Sequence, residues 1–341
     1  MDNNMDVNTP SNGEMVHVGA VDLVRFICSL LIMAHHMSGL NFLVTGMFFN
    51  CWAWVDYFFI LTGYFTRSHF EKHLASEPYS TEAMKYTWHK FKRYIPYEFA
   101  AVILMDCLLF RQYSTGDGMF EVLEKFMDFP YEVLLLSSSG IAFANLATIW
   151  FLSAMAITLP LLIYLMVSRK DLWNILSWMI PLLYYGRYGV NSAREWPNDL
   201  LRAFSCMALG TFLYALVREI RKASWIKGRK MLLTLVEVAA FGFAVYITVY
   251  NKSYLNLVAL LFSVNVVSML SGCSWTSSIK GGFLKTLGQM SMPMFLFHLV
   301  VGSAAGSLPV SIGMKIVIYY LGTIAISFVL VQMENRRKKY G

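Results

Sequence analysis

Runs of about 20 apolar residues recur along the whole chain, and that recurrence limits the fold more than any other feature. A run of this length, wound as a helix, matches the roughly 30 Å hydrocarbon thickness of a bilayer. Inside hydrocarbon only helices and closed barrels satisfy their own backbone polar groups. The runs fall at approximately 20–41, 47–66, 94–112, 146–167, 172–188, 199–217, 231–250, 254–271, 284–305 and 312–333. They predict an all-α polytopic membrane protein with about ten transmembrane helices. Composition agrees, because hydrophobic residues make up 57% of the chain and charged residues only 14%, against roughly 25% in an ordinary globular domain. Residues 67–93 read as an interfacial amphipathic helix, with Lys85, Lys90, Lys92 and Arg93 beside Tyr86, Trp88 and Phe91. The segment 113–145, broken by Pro130 and by the serines before Gly140, reads as lying on the membrane or dipping into it.

Charge placement predicts orientation. With the N-terminus inside, 20 of the 28 Lys and Arg fall in inner loops, while the outer segment 113–145 is acidic (Asp117, Glu121, Glu124, Asp128, Glu132). Cytoplasmic loops carry the excess of Lys and Arg, so both termini are expected in the cytoplasm. The chain then divides into a cytoplasmic tail at 1–18, a transmembrane domain at 19–334 and a basic cytoplasmic tail at 335–341. The net charge of +7 reflects this topology and calls for no nucleic-acid partner. Arg187, Arg194 and Arg202 cluster on the outer side and read as solvated or headgroup-facing, with contact to an anionic acceptor as the alternative. The first 18 residues hold Asp2, Asp6 and Glu14 with no Lys or Arg, which is unlike a signal peptide, so the first run is expected to be retained. The five cysteines are scattered, with neither metal-ligand spacing nor a disulfide framework, and no metal is expected.

Two ionisable residues sit inside the first run, Arg25 and His36. At about 100° per residue, eleven steps come within about 20° of three full turns. The two therefore share one helix face, roughly 16 Å apart along the axis. Ionisable groups inside an apolar span are costly and by default mark function. His35 points about 80° away from Arg25 and reads as structural.

The residues around this pair resemble a known family. Asp22, Arg25 and His36 match an Asp-x-x-Arg, ten residues, His pattern. Val55-Asp-Tyr-Phe-Phe-Ile-Leu-Thr-Gly-Tyr-Phe65 matches a second pattern, with Thr62 in place of Ser, and a basic stretch carrying Lys90 and Arg93 and ending at Pro96 matches a third. Trp150-Phe-Leu152 and the helix from Ser291 to His298 match later, less specific patterns. On these residues the chain resembles the acyltransferase-3 family of integral-membrane acyltransferases, in the short form without an extracellular domain. The resemblance covers the whole chain, and its specific part is the first hundred residues. Where some members carry a Glu after the Trp, this chain has Ala154 and Met155; where others carry a His before it, Thr148 and Ile149 stand. Acceptor-side residues are therefore not carried over.

The resemblance implies a bacterial plasma-membrane enzyme that moves an acyl group, commonly acetyl from cytoplasmic acetyl-CoA, to a hydroxyl of a carbohydrate or lipid-linked glycan. Acetyl-CoA is then a co-substrate rather than a bound cofactor, and the other partners are the glycan acceptor and membrane lipids. Such a donor needs cations at the inner face. Lys90, Lys92, Arg93 and Arg67 are the candidates, because Arg and Lys pair well with phosphate oxygens. Acyl transfer to a hydroxyl needs a base, and imidazole titrates near neutral pH, which suits His36. Arg25 is expected to hold the donor's phosphate or carbonyl end or to orient the site electrostatically, and Asp22 to pair with Arg25. Asp56, Trp150 and His298 are further candidates for lining the site. Similar membrane domains also occur attached to amino-acid racemases, which implies a transport or binding module as the alternative. A channel or pump with a proton relay through His36 is a third class.

Overall fold

A computed structural model describes residues 18–340 apart from 43–45, 74–76, 114–118, 142–143, 191–195, 224–227 and 251–252. The described residues form helices and no strands. In chain order these are α1 (Gly19–Gly39), α2 (Trp54–Lys72), α3 (Tyr79–Phe91), α4 (Ile95–Tyr113), α5 (Met119–Val133), α6 (Ile149–Ser168), α7 (Lys170–Tyr188), α8 (Asn198–Lys222), α9 (Lys230–Val249), α10 (Leu257–Leu270), α11 (Gly282–Gly306) and α12 (Ile312–Tyr340). The acidic tail before Val18 lies outside the described residues.

Six of these helices, α1, α6, α8, α9, α11 and α12, are long and apolar enough to cross a membrane. Ten were expected. The difference has a physical origin: α2, α4 and α7 have 19 residues each but carry ionisable side chains such as Asp56, Glu98, Asp106 and Asp171. The apolar α10 has only 14 residues. The run at 47–66 also differs from expectation. Phe48 takes a left-handed φ of 63°, which interrupts any α-helix there. A short 3₁₀ turn over Phe49–Ala53 follows, and α2 begins only at Trp54. The amphipathic reading of 67–93 narrows to α3, where Met84 and Trp88 are exposed while Ala83, Thr87 and Phe91 are buried. Within 113–145 the structure has α5, whose Phe129 ring lies 6.4 Å from Phe99 on α4.

Two close helix pairs position the site. In the first, α2 and α8 run parallel with their backbones in contact. A Cβ at Gly63 would overlap the Met207 carbonyl, and one at Gly210 would overlap the Ile60 carbonyl. Small residues at an interface let helix backbones approach this closely. In the second, α1 and α11 run parallel. Gly288 leaves room for the Asp22 carboxylate, and Ser29 Oγ donates to the Ser291 carbonyl at 3.1 Å. The main core joins α1, α2, α6 and α8 to α10, and a smaller one lies between α1, α11 and α12.

Candidate active site

His36 and Arg25 face one side of α1, and the structure opens a separate cavity at each. The His36 cavity holds about 220 Å³. His35 and His36 from α1, Trp52 and Val55 from the start of the second run, Thr148 and Trp150 from the start of α6, Phe295 from α11 and Arg202 from α8 all line it. His35 was expected to turn away. The helix does rotate it from His36, but it still reaches the cavity wall, and its ring lies 6.2 Å from Phe49.

His298 lies beside this cavity. Its ring centroid is 4.9 Å from that of His36. His298 is fully buried, and its Nδ1 sits 2.9 Å from the Phe295 carbonyl and 3.2 Å from that of Met294. Two carbonyl acceptors require the proton on Nδ1, so Nε2 keeps its lone pair. That Nε2 has no hydrogen-bond partner among the described residues.

Asp56 does not line the cavity itself but pairs with Arg202, which does. Arg202 Nε donates to Asp56 Oδ1 at 2.6 Å, and both side chains are 2% exposed. The sequence reading of Arg202 as a solvated outer cation is therefore corrected. Arg187 is exposed and lies over its neighbour Tyr188, and Arg194 falls outside the described residues. A signal for Arg202 was present: Asp56 in an apolar run needs a polar partner, and Arg202 is a cation flanked by Leu200, Leu201, Ala203 and Phe204.

At the other end of α1 a cavity of about 1030 Å³ is lined by Lys90, Lys92 and Arg93 together with Arg337 and Lys338 of α12. The α12 cations were read only as a basic tail. Arg93 Nε pairs with a Glu334 carboxylate oxygen at 2.8 Å, and Tyr97 donates to the same carboxylate at 2.6 Å, which ties the cavity floor to α12. A smaller cavity of about 120 Å³ adjoins it, lined by Arg25 and Thr62 among others, and Lys90 and Tyr94 border both. Asp22 Oδ1 lies 3.6 Å from Arg25 Nη1, as the spacing predicts. Arg67 is elsewhere. It is buried, donating to Asn174 Oδ1 at 2.7 Å and to the Thr211 carbonyl, and it stitches α2 to α7 and α8.

Between the two ends lie Phe58, Phe151, Met292 and Phe295, with no space for a water molecule among them. The Phe151 and Phe295 rings are 5.3 Å apart, and Phe58 and Phe151 are 6.3 Å apart. A polycationic hollow thus leads to Arg25, and an aromatic and methionine wall separates Arg25 from an imidazole-lined hollow. Such an arrangement suits an anionic donor on one side and a neutral, proton-bearing acceptor on the other.

The family model described as an acyltransferase domain matches residues 18–332. No curated protein and no solved structure matches the chain.

Proposed function

The chain belongs to the acyltransferase domain family, and from that premise we propose that it is a membrane O-acetyltransferase, taking acetyl from cytoplasmic acetyl-CoA to a hydroxyl of a surface or lipid-linked glycan. The observation that carries this reading is the pairing of the basic cavity at Lys90, Lys92 and Arg93 with the His36 cavity along one face of α1. The phosphates of the donor bind Lys90, Lys92, Arg93 and Arg337. The slender thioester arm extends past Arg25, and the wall of Phe58, Phe151 and Phe295 gives way to admit it. The roughly 16 Å from Arg25 to His36 is a length that such an arm spans. His36 takes the proton from the acceptor hydroxyl as it attacks the thioester carbonyl. The neighbouring His298 ring packs against that of His36, centroids 4.9 Å apart, and limits how it can turn.

We further propose ten crossings with both termini in the cytoplasm. The helix directions support this. If α3 and α5 do not cross, strict alternation makes α1 parallel to α11 and α2 parallel to α8, the relations their contacts have.

The test uses deletion and complementation in intact cells. Mass spectrometry of surface glycans is expected to lose acetyl groups on deletion and to regain them with the unsubstituted chain but not with His36→Ala. Unchanged glycans on deletion would overturn the acceptor assignment. The alternative of an amino-acid transport module has no particular feature of the geometry in its favour.

A further inference from the structure

The arginine paired with His36 by spacing is not the one that shares its cavity. Arg25 lies on the far side of the aromatic wall, while Arg202 stands on the His36 cavity itself. Its surroundings hold it in place. Nε donates to Asp56 Oδ1 at 2.6 Å and Nη2 to the Trp52 carbonyl at 3.4 Å. Its guanidinium carbon sits 4.9 Å from the Trp52 ring centroid and 5.3 Å from that of Trp150. Asp56 is held in turn by the Tyr185 hydroxyl at 3.3 Å. A guanidinium has five N–H donors. These contacts use Nε and Nη2, and Nη1 makes no hydrogen bond to a described residue.

We propose that Arg202 is a catalytic residue of the acyl-transfer site, its Nη1 donating to the oxyanion that forms on the thioester carbonyl. The inference rests on the acyl-transfer reading above. The acceptor hydroxyl oxygen bonds to the carbonyl carbon while its proton passes to an imidazole nitrogen of His36. The carbonyl π pair moves onto oxygen, and that oxyanion accepts from Arg202. On collapse the carbon–sulfur bond breaks, the departing thiolate takes the proton from His36, and the products are the ester and free CoA. A donor fixed before the reaction needs no reorganisation when the charge develops, and in a water-poor site it acts more strongly than in water. Asp56 holds the fork in register and offsets the cost of burying the cation. The faces of Trp52 and Trp150 add cation–π attraction.

Arg202 also anchors α8 to α2, so the experiment separates anchoring from chemistry. Full-length protein in nanodiscs receives acetyl-CoA and surface glycan extracted from the deletion strain as acceptor, and release of the CoA thiol gives kcat and KM. Melting temperature and affinity for CoA are measured on the same samples. The double variant Asp56→Asn/Arg202→Met removes both charges, and a buried ion pair replaced as a unit is often neutral for stability. It is expected to keep the melting temperature, the CoA affinity and KM, while kcat falls about 10²- to 10³-fold. Arg202→Lys keeps the charge but not the fork, and is expected to lose kcat at unchanged KM; it carries the test if the double variant does not fold. A folded double variant, or Arg202→Lys, with kcat near that of the unsubstituted protein would reduce Arg202 to an anchor and overturn the inference while leaving the acyl-transfer reading intact. Thiol release that is absent from the unsubstituted protein, or that persists in His36→Ala, would instead overturn the reading itself and the inference with it.

Discussion

His35 and His36 are adjacent on α1, reach the same cavity, and differ in what surrounds them. The His36 ring lies tilted against that of His298, centroids 4.9 Å apart, whereas His35 lies edge-on to Phe49 at 6.2 Å. If His36 is the base, His36→Ala lowers acetyl transfer by about 10²- to 10⁴-fold, the usual worth of general base catalysis. His35→Ala retains substantial activity, and both variants insert and fold. Equal losses in the two would remove the distinction. At the inner end, Lys90 borders both the large cavity and the Arg25 cavity, so it is the cation best placed to follow the donor inward. Lys90→Ala is expected to weaken CoA binding by about 1 kcal/mol, roughly fivefold, at unchanged kcat. The loss should shrink as salt is raised, since screening already weakens a partly exposed pair. Titration calorimetry at two ionic strengths reads both effects; unaltered affinity would reassign Lys90 to lipid headgroups. Lys92 is exposed and makes a weaker case. Arg93 is shared with Glu334, so its removal also takes one partner from that carboxylate and leaves it Tyr97 and Lys338.

At the scale of elements, the Asp56–Arg202 pair exists because α2 and α8 touch through Gly63 and Gly210. A methyl group at Gly63 meets backbone rather than a movable side chain. Gly63→Ala is therefore expected to push the helices apart, to cost about 1–3 kcal/mol as overpacking does, and to lower activity by displacing Arg202 from His36. Gly242→Ala on α9 is the control, because nothing lies within 4 Å of its would-be Cβ. It should be neutral or stabilising by up to about 1 kcal/mol, the helix-propensity difference. Thermal melts of the two variants check the pair. A Gly63→Ala protein as stable as the unsubstituted one would mean the two helices part at little cost.

At the scale of the whole molecule, the proposed mechanism needs the basic cavity in the cytoplasm and access to His36 from outside. Exposed Ser311, between α11 and α12, and exposed Ser278, between α10 and α11, fall on opposite sides in the proposed topology. In a chain whose exposed Cys107 is replaced by Ser, Ser311→Cys should react with an impermeant thiol reagent on intact cells, and Ser278→Cys should react only after permeabilisation. The reverse pattern would separate the Lys90 cavity from its donor and end the proposal of transfer across the membrane.

The helices themselves were legible in the chain, because their hydrogen bonds are local and their apolar lengths are set by the bilayer. So was the shared face of Arg25 and His36, since eleven residues of rigid helix fix an angle whatever surrounds them. Asp22 beside Arg25 followed for the same reason. The count of crossing helices was less legible, because apolar length alone does not separate a crossing helix that buries charges, as α2 does with Asp56, from one that does not cross. Which cation meets His36 was decided only by tertiary structure. A polar residue in an apolar run announces that it needs a partner, but it does not say which helix supplies one. The close approach of α2 and α8 at Gly63 and Gly210 brings Arg202 to Asp56 and to the His36 cavity, and the same packing turns Arg67 away from the donor face into α7 and α8. Likewise the parallel packing of α1 and α11 brings His298 against His36. Local geometry set the angles within each helix, and long-range contact between small residues set which faces meet.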